Sequence, residues 1–425
     1  MGLPLSTKSI PKAHYQSLVQ DVDRKLPPSH GSLMARSGRL VWVKSVLRAV
    51  PIYAMMAENL PTWARKEIDG ICRRFFWAGK DQSVRGKCMV AWKACCRPKE
   101  LGGLGISDLK LAGFALQTRW LWLQRTDQDR AWNQLPIHTS KEVQAFFRAS
   151  TFTRLGDGRN ALFWEDRWID GEDVATIAPY LHQRISRRVR RTLTVRQGLQ
   201  DSTWVRCISG GLSVLELTDY LHLWASVGDI HLGNEPDRTI WRWTTDGCYT
   251  AKSAYDMMHT GSIRMSGHTL IWKTWAPLRI KIFIWLAMKR RHWTGDRRAR
   301  HGLEAHELCY LCDQGQETID HIIAVCPFTR EVWYYVLQAL GQQVPPVSQT
   351  TLSWWRRLRS VCTGDRRNGM DSLFALVSWQ LWKERNARCF RESTSSVGDL
   401  LHIIKNEADR WIQAGASGLR ALAQG

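Results

Sequence analysis

The chain has no Asp-Asp dipeptide anywhere in its 425 residues. A nucleotide polymerase holds two magnesium ions on paired aspartates, so that chemistry has no seat here. A His-Glu-x-x-His helix, a Gly-x-Ser-x-Gly elbow and a Gly-Lys-Ser/Thr phosphate loop are also missing, which removes the common zinc-protease, serine-hydrolase and nucleotide-triphosphatase motifs. No run of about 18 apolar residues is present, and residues 1–20 lack the charged-then-apolar layout of a secretory leader, so neither a membrane span nor export is expected. Acidic residues are scarce relative to basic ones: 39 Asp and Glu stand against 60 Lys and Arg, giving a net charge of +21. Such a balance favours a polyanionic partner, RNA or DNA, over a small-molecule substrate.

Eleven cysteines is an odd number, and most are irregularly spaced, with Cys95 and Cys96 adjacent. That pattern points to a reducing, intracellular setting and not to a disulfide framework. Four residues stand apart from it. Cys309, Cys312, His321 and Cys326 form a C-x2-C-x8-H-x4-C spacing. Two thiolates three residues apart can chelate one ion from a turn, and a later His and Cys complete a tetrahedron around Zn2+. With four protein ligands no position remains for an activated water, so the expected role is structural. His306, three residues before Cys309, is an alternative donor, and His321 is preferred for its closing gap to Cys326.

Periodicity predicts a mainly helical, multi-domain chain with short β-hairpins, an α+β protein carrying a small zinc module. Amphipathic basic helices are expected over 39–50 and after Pro61, and a further helix from Ser107, with Leu109, Ala112, Leu116, Trp120 and Leu123 along its inner stripe. Residues 152–164 read as a hairpin about the turn 156–160, and residues 240–250 as a second about Asp246-Gly247. Glu165 and Asp166 read as a polar turn, because adjacent strand residues face opposite ways and bind a cation poorly. The segment 279–291 is apolar nearly all round and predicts a buried helix opened by Pro277. Thr318 is expected to cap a helix that presents His321, and Pro327 to start the next. Helices are also expected over 374–388 and 400–412. The 23 tryptophans read mostly as packing residues, although several sit beside Arg or Lys.

Candidate contacts to nucleic-acid phosphates are Arg36, Arg39, Lys44, Arg48, Arg73 and Arg74 in the first helices, Arg187, Arg188, Arg190 and Arg191 in the arginine-rich stretch 184–196, and Lys289, Arg290, Arg291, Arg297 and Arg298 before the cysteine motif. The expected divisions are a helical region at 1–150, a hairpin-containing basic region at 151–248, the zinc-binding domain at 249–340 and a helical region at 341–425.

Several words together resemble the C-terminal portion of plant non-LTR, LINE-type retrotransposon reverse transcriptases. They are Gly2-Leu3-Pro4-Leu5-Ser6, Gly38-Arg39-Leu40, Arg73-Arg74-Phe75-Phe76-Trp77, Gly102-Gly103-Leu104-Gly105, Gly156-Asp157-Gly158, Phe163-Trp164-Glu165-Asp166-Arg167-Trp168, Ala251-Lys252-Ser253-Ala254-Tyr255, the cysteine motif, and Leu381-Trp382-Lys383-Glu384-Arg385-Asn386. The resemblance implies a thumb and connection before residue 130, a reverse-transcriptase zinc-binding domain over about 250–335 with the four ligands above, and a nuclear role on element RNA or target DNA. It also implies what is missing: fingers, palm, endonuclease and a ribonuclease H domain after Arg385. A non-enzymatic nucleic-acid-binding fragment of a transposable element is therefore expected. A scaffold that docks a polymerase-bearing subunit through its C-terminal helices, or a decayed remnant, are the alternatives.

Overall fold

The computed structural model describes residues 11–27, 33–79, 88–127, 129, 139–304, 306 and 308–424. The Leu-Pro-Leu word at residues 3–5 lies outside them. Among the described residues the fold is mainly helical, as the periodicity predicts, with one two-stranded antiparallel sheet. No helix among the described residues is long and apolar enough to cross a membrane. Two compact units form, each from several segments.

The first unit draws on Pro51–Arg65 and Leu109–Gly261. Its helix Leu109–Thr126 packs against Ile52–Ala57, Lys141–Ser150 and Ala251–Met257. The helix starts two residues after the expected Ser107 and turns a different stripe inward. Leu109, Gly113, Ala115, Gln117 and Thr118 are buried, while Leu116, Trp120 and Leu123 are only half-buried. Small residues on the inner face let Tyr249 reach across and donate its hydroxyl proton to the Ala115 carbonyl. Trp241 fills the same core, edge-on to Tyr249 at 5.0 Å. A second cluster gathers Phe163, Trp164, Trp168 and Trp204, all buried, so the Phe-Trp-Glu-Asp-Arg-Trp word is a packing motif. Its two acids are held as a polar turn: Asp166 pairs with Arg125 at 2.9 Å, and Glu165 lies within 4 Å of Arg148, Arg190 and His182.

The sheet corrects both hairpin expectations. Strand β1, Thr151–Arg154, pairs with β2, Arg238–Trp241, so that Thr151 faces Trp241 and Arg154 faces Arg238. Neither strand pairs with its sequence neighbour, because the Gly156-Asp157-Gly158 turn has another task. It wraps the carboxylate of Asp237, which accepts N–H bonds from Gly156, Gly158 and Asn160 at 2.9 Å and from Ala161 at 3.0 Å. Gly158 adopts φ +68°, and a Cβ on Gly156 would strike the Glu235 carbonyl, so this cradle requires glycine at both positions. A long-range carboxylate thereby organises a loop that reads from sequence as a local turn. Asp246-Gly247 does form a turn, closed by a 2.8 Å bond from Trp241 N–H to the Gly247 carbonyl, but it leads directly into the helix Ala251–Met257.

The second unit is built around Leu278–Met288, in which Ile280 and every residue from Ile282 to Ala287 are buried. It packs on Arg36–Trp42, on Thr351–Ser360 and on the long helix Gly364–Arg391. Trp285 donates its indole N–H to the Gly102 carbonyl at 2.9 Å, which ties the glycine-rich passage to this helix. The helix Thr62–Ala78, assigned to this unit from Lys66 onward, buries Ala64, Ile68, Ile71 and Phe75, the face its periodicity predicts, and ends at Gly79. The long helix continues the core through Phe374, stacked 4.4 Å from Trp355, and carries the helices Val397–Gln413 and Ser417–Ala423 against it.

The cradle around Asp237 makes a pH prediction. Burial raises its pKa more than any other single effect, but the four N–H bonds together outweigh it and hold the group below its ordinary value. A carboxylate depressed in the folded state stabilises it above its unfolded pKa of about 3.9, and that stability is lost as pH falls through the folded value. Asp237→Ala should therefore cost about 1–3 kcal/mol near neutral pH, where unpaired loop N–H groups remain. Urea denaturation should show the gap from wild type closing as the pH is lowered below about 4; a gap independent of pH would refute the assignment.

Candidate metal centre

The cysteine motif is folded by short local bonds. Cys309 N–H donates to the Gly315 carbonyl and Asp313 N–H to the Cys309 carbonyl, both at 2.8 Å, closing a tight turn that sets Cys309 and Cys312 side by side. Leu311 N–H points at Cys309 Sγ from 3.4 Å. Thr318 caps the next helix as its sequence predicts, its Oγ1 accepting from His321 N–H at 3.0 Å. The helix widens over His321–Val325, where Cys326 N–H bonds the His321 carbonyl at 2.8 Å, and Pro327 opens the helix Pro327–Ala339.

This geometry brings the four predicted donors together. One ligand atom from each of Cys309, Cys312, His321 and Cys326 lies within 4.8 Å of all the others, and Cys312 Sγ is 3.3 Å from His321 Nε2. Around a tetrahedral zinc, with bonds of roughly 2.3 Å to sulfur and 2.0 Å to nitrogen, such donors would stand about 3.5–3.8 Å apart. Cys309 and Cys326 are fully buried, while Cys312 and His321 are partly exposed. The Cys309 thiol is pushed up to about 12, first by its hydrogen bond to Cys326 and then by burial; the same bond lowers Cys326. A soft dication binding here would displace the thiol protons of these cysteines. His306 is not part of the set: its Nδ1 lies 2.9 Å from the Leu308 carbonyl and its ring beside Tyr310. Among the described residues, no other such group of His, Cys, Asp and Glu could hold a metal.

Three anchors hold this loop, and sequence reasoning assigned none of them. Glu317, within what reads as a featureless turn, is wholly buried. It accepts from Arg385 Nε at 3.0 Å and from Arg385 Nη2, and also from the N–H groups of Gly295 at 2.9 Å and Tyr310 at 3.5 Å. Arg388, one turn further along the long helix, donates to the Leu311 carbonyl at 2.9 Å and lies over the Phe328 ring. Asp320, beside His321, accepts from the backbone and hydroxyl of Thr351 at 2.8 Å and pairs with Arg290 at 2.8 Å. The only signal in the sequence was the word containing Arg385, which carries no spacing cue to Glu317.

The basic candidates divide by burial. Arg48 is buried and bonded to Asp69; Arg297 is buried over the Trp293 ring and donates to the Arg291 carbonyl. Their charge is engaged internally. Arg39 donates to the carbonyls of Met34 and Phe75, Arg36 lies half-buried over Trp77, and Arg74, Lys289 and Arg298 are half-buried. Lys44, Arg73, Arg290 and Arg291 are exposed on the second unit. Arg187, Arg188 and Arg191 are exposed on the short helix Arg187–Thr192 of the first unit, with Arg190 turned toward Glu165. Each unit thus carries exposed basic candidates.

Metal analysis of the purified chain should find about one zinc, lost in Cys312→Ser and in His321→Ala but kept in His306→Ala. Retention of metal in the first two variants would refute the ligand set. Affinity should fall on acidification, since protons compete for raised thiols. For the anchor, Arg385→Met strands a buried Glu317 and should destabilise the second unit by about 3–5 kcal/mol, whereas pairing it with Glu317→Leu should restore much of the loss; chemical denaturation at fixed zinc distinguishes the two.

Comparison with known proteins agrees with this site. Residues 249–333, which contain all four donors, match the family described as zinc-binding in reverse transcriptase. Over 427 aligned positions the chain is 25% identical to an Arabidopsis thaliana protein named as a candidate ribonuclease H protein, covering 92% of this chain and 67% of that relative.

Proposed function

We propose that this chain is a retroelement-derived nucleic-acid-binding protein in which a structural zinc orders a basic, helix-rich scaffold. The observation that carries the reading is the closed Cys3His set inside the segment matching a reverse-transcriptase zinc-binding family, in a chain of net charge +21. More finely, it corresponds to the thumb, connection and zinc-binding regions of a LINE-type reverse transcriptase, acting in the nucleus on element RNA or target DNA. The zinc would supply no chemistry beyond cross-linking the turn at Cys309 to the helix break at Cys326. On this reading the chain binds nucleic acid, and a zinc held by all four protein ligands would activate no water. The ribonuclease H activity in the relative's name belongs to that protein.

Contact is chiefly electrostatic and independent of sequence, through the exposed arginines and lysines of each unit. Affinity for RNA and for duplex DNA should fall by at least tenfold between 50 mM and about 200 mM salt, as expected when several phosphates are neutralised. Fluorescence anisotropy across that range decides it, and an affinity insensitive to salt would refute phosphate contact.

A further inference from the structure

The second unit contains a cleft of about 780 Å3 between residues 35–37, the helix Leu278–Met288 and the long helix Gly364–Arg391. That volume lies within the ~300–1,000 Å3 of sites that enclose small organic groups. Two chemistries meet in its wall. Trp293, Trp379 and Trp382 supply aromatic surface, and Phe390 stands at its edge 67% exposed. Arg36 and Arg279 supply positive charge, together with Arg385, which Glu317 pairs, and no Asp or Glu among the described residues lines the cleft. Arg279 is exposed. Arg36 is half-buried, its Nε without a hydrogen-bond partner among the described residues.

The buried Arg36 Nε lacks an acceptor among the described residues, a cost that an incoming anion would relieve, and the exposed Phe390 ring in the same cleft offers a face that a flat apolar surface can cover. A nucleotide answers both needs with its phosphate and its base. Other occupants answer only one. An acidic peptide would pair the arginines and leave the rings uncovered, an apolar ligand would leave Arg36 desolvated, and a base-paired duplex has no free base face to stack.

We propose that this cleft holds unpaired bases of a single-stranded nucleic acid, stacked on Trp379, Trp382 and Phe390, with flanking phosphates held by Arg36 and Arg279. The assignment rests on the nucleic-acid-binding reading above and gives it a specific seat. It adds a stacking contribution, selective for single strands, to a backbone contact that any duplex could satisfy.

Anisotropy titrations of the full chain with a labelled short oligouridine and with a DNA duplex of equal length test it. Phe390→Ala and Trp379→Ala should each weaken single-strand binding by about tenfold and leave duplex binding unchanged. Arg279→Gln should reduce the salt slope for the single strand by about one. Phe390 is exposed, so its replacement spares the fold, and unchanged circular dichroism and metal content confirm this. Single-strand affinity equal to wild type in both aromatic variants would overturn the cleft while leaving the nucleic-acid reading intact. Wild-type protein that bound neither probe would overturn both. Full displacement of oligouridine by an acidic peptide or by free uridine monophosphate would reassign the cleft.

Discussion

The second unit depends on one buried ion pair. Arg385 and Glu317 are almost completely removed from water, and each would be strongly unfavourable there alone. Their bonds to one another engage both carboxylate oxygens, and the Gly295 N–H adds a second donor to Oε1, so the burial is tolerable only in one arrangement. That arrangement fixes three things at once: the loop between Cys312 and His321, the start of the helix Gly295–Arg300, and the long helix Gly364–Arg391. Apolar packing alone tolerates small slippage between helices, whereas a buried bidentate contact does not. The metal loop is consequently locked from outside by charge as well as from inside by its four donors.

The same arginine links the metal centre to the aromatic cleft. Its guanidinium lies 5.1 Å from the Tyr310 ring on the metal loop and 5.2 Å from the Trp382 ring in the cleft. Glu317 fixes Arg385, and Arg385 in turn supports the ring on which a base would stack. Loss of the metal would loosen the loop that carries Glu317. The effect would therefore reach the cleft through contiguous packed groups, without a second conformational element.

Legibility from sequence followed the range of the interactions involved. The four candidate metal donors, the Thr318 cap, the Pro327 helix start and the buried helix after Pro277 each rest on residues close in sequence, the donors all lying between Cys309 and Cys326, and they stand where spacing and periodicity place them. What failed was long-range. The glycines at 156 and 158 read as a hairpin turn because their real partner, Asp237, lies some eighty residues away. Strand β1 likewise takes its partner from the far side of an inserted helical segment. Glu317 and Arg385 meet across 68 positions, and nothing in either neighbourhood announces the pairing. The inner stripe of Leu109–Thr126 was misplaced because close packing there selects small residues, which a hydrophobicity pattern passes over.

Charge was the hardest property to read. Basic residues set among apolar ones in the first helices looked equivalent in the sequence, yet Arg48 is sealed against Asp69 while Lys44, one helical turn earlier, faces solvent. Trp92 also donates to Asp69 at 3.0 Å, so this partly exposed carboxylate gathers Arg48 and an indole from separate segments into one polar cluster. Net charge predicts the sign of a partner, because distant screening averages over all residues. It cannot assign which arginines meet that partner, because the nearest carboxylate decides each case. An excess of 21 positive charges must nonetheless leave many cations unmatched, whichever of them are sealed inside. Arg36 is the informative one: it is drawn partly out of water, given an aromatic neighbour in Trp77 and paired with no carboxylate among the described residues, so an incoming phosphate gains more there than at a freely solvated lysine.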